Sequence, residues 1–375
     1  MKLYVIAGEA SGDLHGSNLM KALKVQRPDI EFRFWGGDRM KEVAGEPVKH
    51  IRDLAFMGFV EVLLNLRTIL GNISFCKKDI EDFRPDALIL IDYPGFNMRI
   101  AEWAKKEGIQ VLYYISPQIW AWKQGRVHKI KKVVDKMYCI LPFEKDFYAR
   151  FEVDVDFVGH PLLDAITDFR KNAFDKVQFL QETGLSDKPV IAVLPGSRKQ
   201  EISVKLPIML EGVKSFSDYQ IVIAGAPAIE ASFYETFIEN DKDVSIVFNS
   251  TYELLSVAEG AVVTSGTATL ETALFRVPEV VCYKGSVVSY HIARRLIKVA
   301  YISLVNLIMD REVVRELIQQ DCTPKNIENE LKGLIKGGEK REKLLQDYDR
   351  LIEKLGGGGA SEETASRMLK IIEER

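Results

Sequence analysis

The sequence lacks the features that would place it at once in several common classes. No apolar run approaches the ~18 residues of a membrane-spanning helix. The amino terminus enters a strand-like run directly, without the basic, apolar and cleavage regions of a signal peptide. A net charge of -3 gives no whole-chain case for nucleic-acid binding. We therefore expect a cytoplasmic protein without a spanning segment.

Cysteine is scarce, and metal-ligand spacing is missing. The four cysteines include no C-x-x-C pair, and Cys139 and Cys282 lie in strand-like apolar runs. This pattern favours buried free thiols in a reducing compartment. The five histidines show no ligand spacing, and no Asp-x-Asp motif follows a strand. We expect neither a metal nor a cofactor.

What the chain does contain is a long alternation of strand-like and helical patterns. One series of short β-rich runs extends from Leu3–Ala7 to Val155–Val158, and a second from Val190–Leu194 to Glu279–Tyr283. Such alternation predicts βαβ units with parallel sheets. The fold class predicted is therefore α/β, with two Rossmann-like, doubly wound domains facing a cleft.

The 375 residues are divided by this pattern into three segments. We predict a first domain over 1–165, a second over 166–345 and C-terminal helices over 346–375. Four consecutive glycines, Gly356–Gly359, break the last charged helix. This break allows the final helix to turn away from the second domain and pack back on the first. A flexible surface connection is the alternative.

The first glycine-rich turn, Gly8-Glu9-Ala10-Ser11-Gly12-Asp13, follows a strand and opens a helix. Its spacing fits neither G-x-G-x-x-G nor the P-loop, so it does not predict a dinucleotide or P-loop site. Asp92 also follows an apolar strand, and both turns are expected at the carboxyl edge of the sheet, where ligands bind. Asp92 could take a proton from a hydroxyl there. A turn or helix-cap aspartate is the alternative.

Two loops of the second half form a candidate nucleotide site. Pro195-Gly196-Ser197-Arg198 follows a strand, and Arg198 offers a forked donor to phosphate. The segment Thr264–Glu271 runs from a strand end into a helix, whose N–H groups and dipole would hold an anion. Asn249, after another strand, could border a base. Ordinary helix capping is the alternative for each loop.

Two further segments are open to two interpretations each. Trp120 and Trp122, in the segment Ser116–Arg126, could face sugar rings, although packing is the more common role of such tryptophans. The apolar stretch Phe56–Leu66 fits a helix lying on a membrane surface, and equally a buried core helix.

Read together, these residues resemble the lipid A disaccharide synthase family, glycosyltransferases of the two-Rossmann-domain B type. The matching motifs run in the family's order over most of the chain: Gly8–Asp13, Asp92–Asn97, Ser116–Trp122, Leu141–Glu144, Leu194–Arg198, Ser265–Glu271 and Tyr301–Leu307. One departure is Gly95, where some members carry a second aspartate. Asp92 is then the only carboxylate of that motif.

The resemblance implies a reaction and a set of partners. UDP-2,3-diacylglucosamine would donate its sugar to the 6-hydroxyl of 2,3-diacylglucosamine 1-phosphate, giving the β-1,6 disaccharide precursor of lipid A and UDP. The partners would be these two substrates and the inner leaflet of the cytoplasmic membrane, with Arg294, Arg295 and Lys298 aiding attachment. No nucleic acid is expected, and a homodimer is left open.

For this reaction we predict the following site residues. Asp92 would be the catalytic base, with Glu9 and Asp13 in reserve. UDP would bind at Gly196, Ser197, Arg198, Asn249, Ser265, Gly266, Thr267 and Glu271, the last on the ribose. The acceptor would meet Ser11, Gln118, Trp120 and Asn306. The alternatives are a UDP-N-acetylglucosamine 2-epimerase, against which the Phe56–Leu66 stretch and the tryptophan motif argue, and a non-enzymatic nucleotide-sugar binding protein.

Overall fold

The computed structural model describes residues 1–54, 66–171, 174–227, 229–238, 243–286 and 299–374. The chain forms two compact units. The first unit contains Met1–Asp164 and Gly357–Arg375, and the second contains Ala165–Gly356. The chain therefore passes between the units at two places.

The first unit is built on a seven-stranded sheet in the order β3-β2-β1-β4-β5-β6-β7, with every pair parallel. Its strands are β1 (Lys2–Ala7), β2 (Glu31–Gly36), β3 (Lys49–His50), β4 (Ala87–Ile91), β5 (Gln110–Tyr114), β6 (Lys136–Cys139) and β7 (Val155–Phe157). Both β4 and β5 are buried along their whole length. Continuous burial explains the unbroken apolar run of β4, because a central parallel strand is covered on both faces.

Helices connect these strands, as parallel pairing requires. They are α1 (Ala10–Gln26), α2 (Asp38–Ala44), α3 (Leu66–Phe83), α4 (Pro94–Lys106), α5 (Ile119–Trp122), α6 (Val127–Val133) and α7 (Pro142–Ala149), with 3-10 turns at Ile51–Leu54 and Gln124–Arg126. Helix α8 (Pro161–Lys171) then carries the chain across the boundary between the units.

The second unit has a six-stranded sheet in the order β10-β9-β8-β11-β12-β13, again all parallel. Its strands are β8 (Val190–Leu194), β9 (Gln220–Gly225), β10 (Val244–Phe248), β11 (Ala258–Thr264), β12 (Glu279–Tyr283) and β13 (Arg315–Ile318). Its helices are α9 (Lys176–Thr183), α10 (Lys199–Val213), α11 (Ala231–Ile238), α12 (Thr251–Val257), α13 (Thr267–Leu274), α14 (Leu304–Met309), α15 (Pro324–Leu334) and α16 (Arg341–Lys354). Two doubly wound parallel sheets confirm the predicted α/β class.

The segment 346–375 is divided between the two units. Helix α16 stays with the second unit, where Asp347 binds Arg311 at 2.7 Å. The last helix, α17 (Ala360–Glu373), packs on α1 and buries Met368 and Ile372 in the core of the first unit. The carboxylate of Asp164 accepts hydrogen bonds from the N–H groups of Gly359, Ala360 and Ser361 at 2.5–3.2 Å. Such a cap satisfies the donors that a helix start leaves open.

Candidate active site

The first unit reverses its strand order between β1 and β4, which lie side by side. The turn Gly8–Asp13 follows β1 and Asp92 follows β4, so both leave the sheet at this switch point, where open α/β sheets bind ligands. Glycine at position 8 allows the ring of Tyr93 to approach the backbone, because a Cβ there would stand 2.3 Å from atoms of that ring. The structure thus brings together the two turns that the sequence separates by some eighty residues.

Asp92 is held in an uncommon backbone conformation. Its φ is 44° and that of Tyr93 is 48°, both in the left-handed region. Burial, and then the negative charge of Glu9, raise the pKa of Asp92 to about 6. Glu9 itself is exposed. A carboxylate with a raised pKa at this edge is suited to accept a proton near neutral pH.

Asp13 and Ser11 have different surroundings from Asp92. Asp13 is buried, and its carboxylate accepts the N–H groups of Gly37, Arg39 and Met40 at 2.6–3.1 Å. It therefore holds the start of α2 against α1. Ser11 is exposed in the first turn of α1. The catalytic reserve role of Asp13 stays a prediction, and its contacts in the structure are those of a helix-fixing residue.

The tryptophan segment follows β5. Trp120 is buried, its ring meets Phe143 edge-on at 4.9 Å, and its indole N–H donates to Glu144 at 3.2 Å. Gln118 is exposed, and Trp122 is 46% exposed with the Lys123 ammonium 4.0 Å above its ring. Of the two tryptophans, Trp122 is therefore the one that presents a ring to solvent, a distinction that the sequence did not draw.

Glu144 is a residue to which the sequence interpretation gave no role. Burial raises its pKa to about 7, and its carboxylate also accepts the N–H of Leu141 at 3.0 Å. The signal was available, since a glutamate at the third position of a helix that starts with Pro142 commonly caps that helix. Glu144 joins α7 to the tryptophan segment and so fixes the loop after β5.

The second unit reverses its strand order between β8 and β11. The loop Pro195–Arg198 follows β8, and Ser265–Thr267 follows β11, so the two predicted clamps leave one sheet side by side. Gly196 has a φ of 113°, which favours glycine, and Ser197 and Arg198 are exposed. The Arg198 guanidinium lies 3.4 Å from Glu201. Exposed donors at a switch point are suited to bind an anion.

Helix α13 presents its start to the same edge. Its N-cap is Gly266, which has no side chain to cap the helix, and Thr267 is exposed. The Ser265 hydroxyl donates to the carbonyl of Ile302 at 2.9 Å. The start of α13 therefore lies where the helix dipole favours negative charge.

Glu271 lies on α13, and Asn249 follows β10 at the edge of the same sheet. Glu271 accepts a hydrogen bond from the Tyr252 hydroxyl at 3.3 Å, and burial raises its pKa. Asn249 is exposed after β10 with a φ of 56°. Both positions stay predictions as contacts for ribose and base.

Asn306 and Lys205 are interior residues of the second unit. The Asn306 amide donates to Val314 and Glu316 at 2.8–2.9 Å, and its oxygen accepts the N–H of Val314 at 3.0 Å. Asn306 thus fixes the start of β13, and its predicted contact with the acceptor stays a prediction. Lys205, which the sequence did not single out, is 3% exposed and lies 3.7 Å from Glu201. Burial lowers its pKa.

Part of the predicted membrane surface lies outside the described residues. This applies to 56–65 of the stretch Phe56–Leu66, and to Arg294, Arg295 and Lys298. Over the ranges that the structure describes, no helix combines the length and apolar character needed to cross a bilayer.

Solved structures with a similar fold include a UDP-GlcNAc 2-epimerase and a glycosyltransferase. The UDP-GlcNAc 2-epimerase of Neisseria meningitidis, solved with UDP-GlcNAc, matches with a TM-score of 0.72 at 13% identity, covering 99% of this chain and 100% of that one. A kitacinnamycin glycosyltransferase matches with a TM-score of 0.65 at 13% identity, covering 99% of each chain. The fold is therefore that of two-Rossmann-domain enzymes of glycosyltransferase B type.

Sequence comparison narrows this class to one family. The chain belongs to the lipid-A-disaccharide synthetase family, whose model matches residues 3–371. The lipid-A-disaccharide synthase of Trichlorobacter lovleyi is 38% identical over 379 residues, covering 100% of this chain and 98% of that protein. The enzyme of the same name from Syntrophus aciditrophicus is 40% identical over 377 residues, covering 99% and 97%.

These findings confirm the family resemblance drawn from the motifs. The chain is a glycosyltransferase of lipid A biosynthesis. The epimerase interpretation is not supported, because the epimerases are similar in fold alone.

Proposed function

We propose that this enzyme transfers the glucosamine unit of UDP-2,3-diacylglucosamine to the 6-hydroxyl of 2,3-diacylglucosamine 1-phosphate. The acceptor oxygen forms a bond to the anomeric carbon, and the bond from that carbon to the diphosphate breaks. UDP leaves with the electron pair, and the hydroxyl proton passes to a base. The products are the β-1,6 disaccharide 1-phosphate and UDP.

Asp92 is the proposed base, and its setting is the observation that carries the proposal. The carboxylate stands at the switch point of the first sheet, and its pKa of about 6 leaves it ionised at neutral pH yet able to accept a proton. An α-linked donor and a β-linked product imply inversion in one displacement. No covalent sugar intermediate on the enzyme is then required.

UDP is proposed to bind the second unit, with its phosphates at Ser197, Arg198 and the start of α13. Exposed side-chain donors and an N-terminal dipole supply positive potential there. Glu271 would accept a hydrogen bond from the ribose. In this proposal no metal ion is required, because the protein's own donors neutralise the leaving diphosphate.

One assay tests the reaction. The purified enzyme is incubated with UDP-2,3-diacylglucosamine, with and without 2,3-diacylglucosamine 1-phosphate, in the presence or absence of EDTA. We expect disaccharide and UDP only when both substrates are present, at the same rate with EDTA. An epimerised sugar, or binding without turnover, would contradict the proposed reaction. A rate lost with EDTA and restored by magnesium would contradict the metal-free part alone.

We further propose that the first unit attaches peripherally to the inner leaflet of the cytoplasmic membrane. The proposal is supported by α3, which follows the apolar stretch in the chain and exposes Leu70 and Phe75 by 54% and 49%. Exposed apolar side chains on a helix can enter the headgroup region.

Vesicle binding tests this attachment. Replacing Leu70 and Phe75 with serine should reduce co-sedimentation with vesicles that contain anionic lipid, while UDP binding is kept. Val177→Ser is the matched control, because Val177 is 63% exposed in the second unit. Equal vesicle binding by a folded double variant would contradict the proposal.

A further inference from the structure

The backbone that carries Asp92 is strained. Asp92 and Tyr93 are consecutive non-glycine residues with φ of 44° and 48°. The left-handed region is unfavourable for L-residues, because Cβ approaches the carbonyl oxygen. Such conformations persist only where the surroundings hold them, and they are concentrated at functional sites. The turn therefore needs specific partners to stay in place.

Two buried side chains meet the carbonyl oxygen of Asp92. The amide of Asn97 donates to it at 2.8 Å, and the hydroxyl of Tyr113 donates to it at 2.5 Å. Both residues have no solvent exposure. The same Asn97 amide lies 3.2 Å from the carbonyl of Ile91. The donors come from α4 and from the neighbouring strand β5, so the turn is held from two elements.

The sheet and the start of α4 hold the rest of the turn. The N–H of Asp92 donates to the carbonyl of Tyr114 at 3.0 Å. The ring of Tyr93 lies against Gly8 and stacks on Phe96 with centroids 5.6 Å apart. The hydrogen bonds from Asn97 and Tyr113 to the Asp92 carbonyl then restrain rotation of the peptide group between Asp92 and Tyr93.

We propose that Tyr113 and Asn97 are positioning residues for the transferase reaction, which together lock the Asp92 carbonyl and so aim its carboxylate at the acceptor hydroxyl. This inference rests on the proposed role of Asp92 as the base. Neither residue touches substrate in this proposal. Tyr113 acts from the interior of the sheet, as a hydroxyl whose function is to fix one peptide group.

The inference predicts a particular kinetic signature. Without the Tyr113 hydroxyl, the turn can relax and the Asp92 carboxyl becomes better solvated. Burial is the larger cause of its raised pKa, so better solvation lowers that pKa from about 6 toward its ordinary value. The rate falls because the base is misaligned, and the acid limb of the pH profile moves to lower pH.

The test compares Tyr113→Phe with Tyr114→Phe in the full-length enzyme. Tyr114 is the matched control, because it is the next residue of β5, equally buried, and its hydroxyl faces Ser361 and Thr364 of α17. For Tyr113→Phe we expect kcat to fall about tenfold, the effect of about 1.4 kcal/mol in the barrier, with KM changed less than about twofold. The acid limb of kcat/KM should move down. For Tyr114→Phe we expect neither change.

Asn97→Ala is a second variant that leaves the strand intact, should Tyr113→Phe fail to fold. It should show the same fall in kcat and the same movement of the acid limb. A loss of thermal stability with wild-type kcat and an unmoved limb in both variants would overturn the inference. Asp92→Asn, measured in parallel, separates the two proposals: if it keeps its turnover, the proposed base is wrong, whatever Tyr113 does.

Discussion

The two switch points of the molecule differ in how their turns are held. In the first unit, internal contacts hold the turns after β1 and β4: the ring of Tyr93 packs against Gly8, and the Asp92 carbonyl accepts two hydrogen bonds. We call this the closed switch point. In the second unit, Ser197, Gly266 and Thr267 are exposed in the loops after β8 and β11. We call this the open switch point. A side chain that accepts a proton needs a fixed orientation and partial desolvation. A loop that binds an anion instead needs hydrogen-bond donors that are accessible to the ligand.

Asp92→Asn gives the largest expected effect and tests the closed switch point. The substitution keeps the shape and removes the basicity, so turnover should fall roughly 10²-fold or more, the usual size of a general-base contribution. Affinity for UDP, measured by calorimetry, should stay nearly the same. Near-normal turnover in Asp92→Asn, together with a loss in Glu9→Gln or Asp13→Asn, would move the base to the turn after β1.

Arg198→Ala tests the open switch point. Loss of a charge-assisted hydrogen bond of about 1.5–3 kcal/mol should raise the Kd for UDP by roughly ten- to a hundredfold. Lys214→Ala is the control, since Lys214 is an exposed cation directly after the far end of α10. An unchanged Kd for Arg198→Ala would show that the loop after β8 does not hold the diphosphate.

Gly8→Ala tests how tightly the closed switch point is packed. The added methyl group would stand 2.3 Å from the Tyr93 ring, so the ring or the turn must move. We expect a loss of about 1–3 kcal/mol in the free energy of unfolding, typical of overpacking, and slower turnover. Gly71→Ala in α3 is the control, because no described atom lies within 4 Å of a Cβ there. Thermal unfolding of both variants decides the point.

Glu9→Gln gives the smallest expected effect, a change in pH dependence. The negative charge of Glu9 is the second cause, after burial, of the raised pKa of Asp92. Removing it lowers that pKa, so the acid limb of kcat/KM should move from about pH 6 to lower pH, by less than about one unit. Glu46→Gln, an exposed acid of the same unit, should leave the limb in place. A limb unmoved in Glu9→Gln would show that the two carboxylates do not interact.

Most central strands were predictable from the sequence. Val190–Leu194 has the predicted bounds, since full burial leaves an unbroken apolar run. Glu279–Tyr283 also has the predicted bounds. Two strands at sheet edges, β3 and β13, were not predicted. The first has only two residues, and Arg315–Ile318 is half charged, so neither carries a strand pattern.

The site was less predictable than the strands that carry it. The sequence placed Asp13 and Trp120 after strands at the sheet edge, but not their partners, which lie 24 residues further along the chain in both cases. Asp13 binds Gly37, and Trp120 binds Glu144. The same limit applies to Tyr113. Its sequence context indicates only a strand residue, and the structure shows that its hydroxyl donates a hydrogen bond to the carbonyl of Asp92. Local spacing predicts that a residue lies at the carboxyl edge of the sheet. Tertiary contacts decide whether its side chain is hydrogen-bonded within the protein or accessible to a ligand.

The return of α17 to the first unit has a consequence for the order of folding during synthesis. Ala365, Met368 and Ile372 belong to the same apolar core as Leu19 and Leu23 of α1. Domains generally fold in the order in which the ribosome delivers them, but this core needs a helix made after the entire second unit. We therefore expect the first unit, although it is synthesised first, to complete its fold last. Until α17 is made, an apolar groove along α1 should stay uncovered.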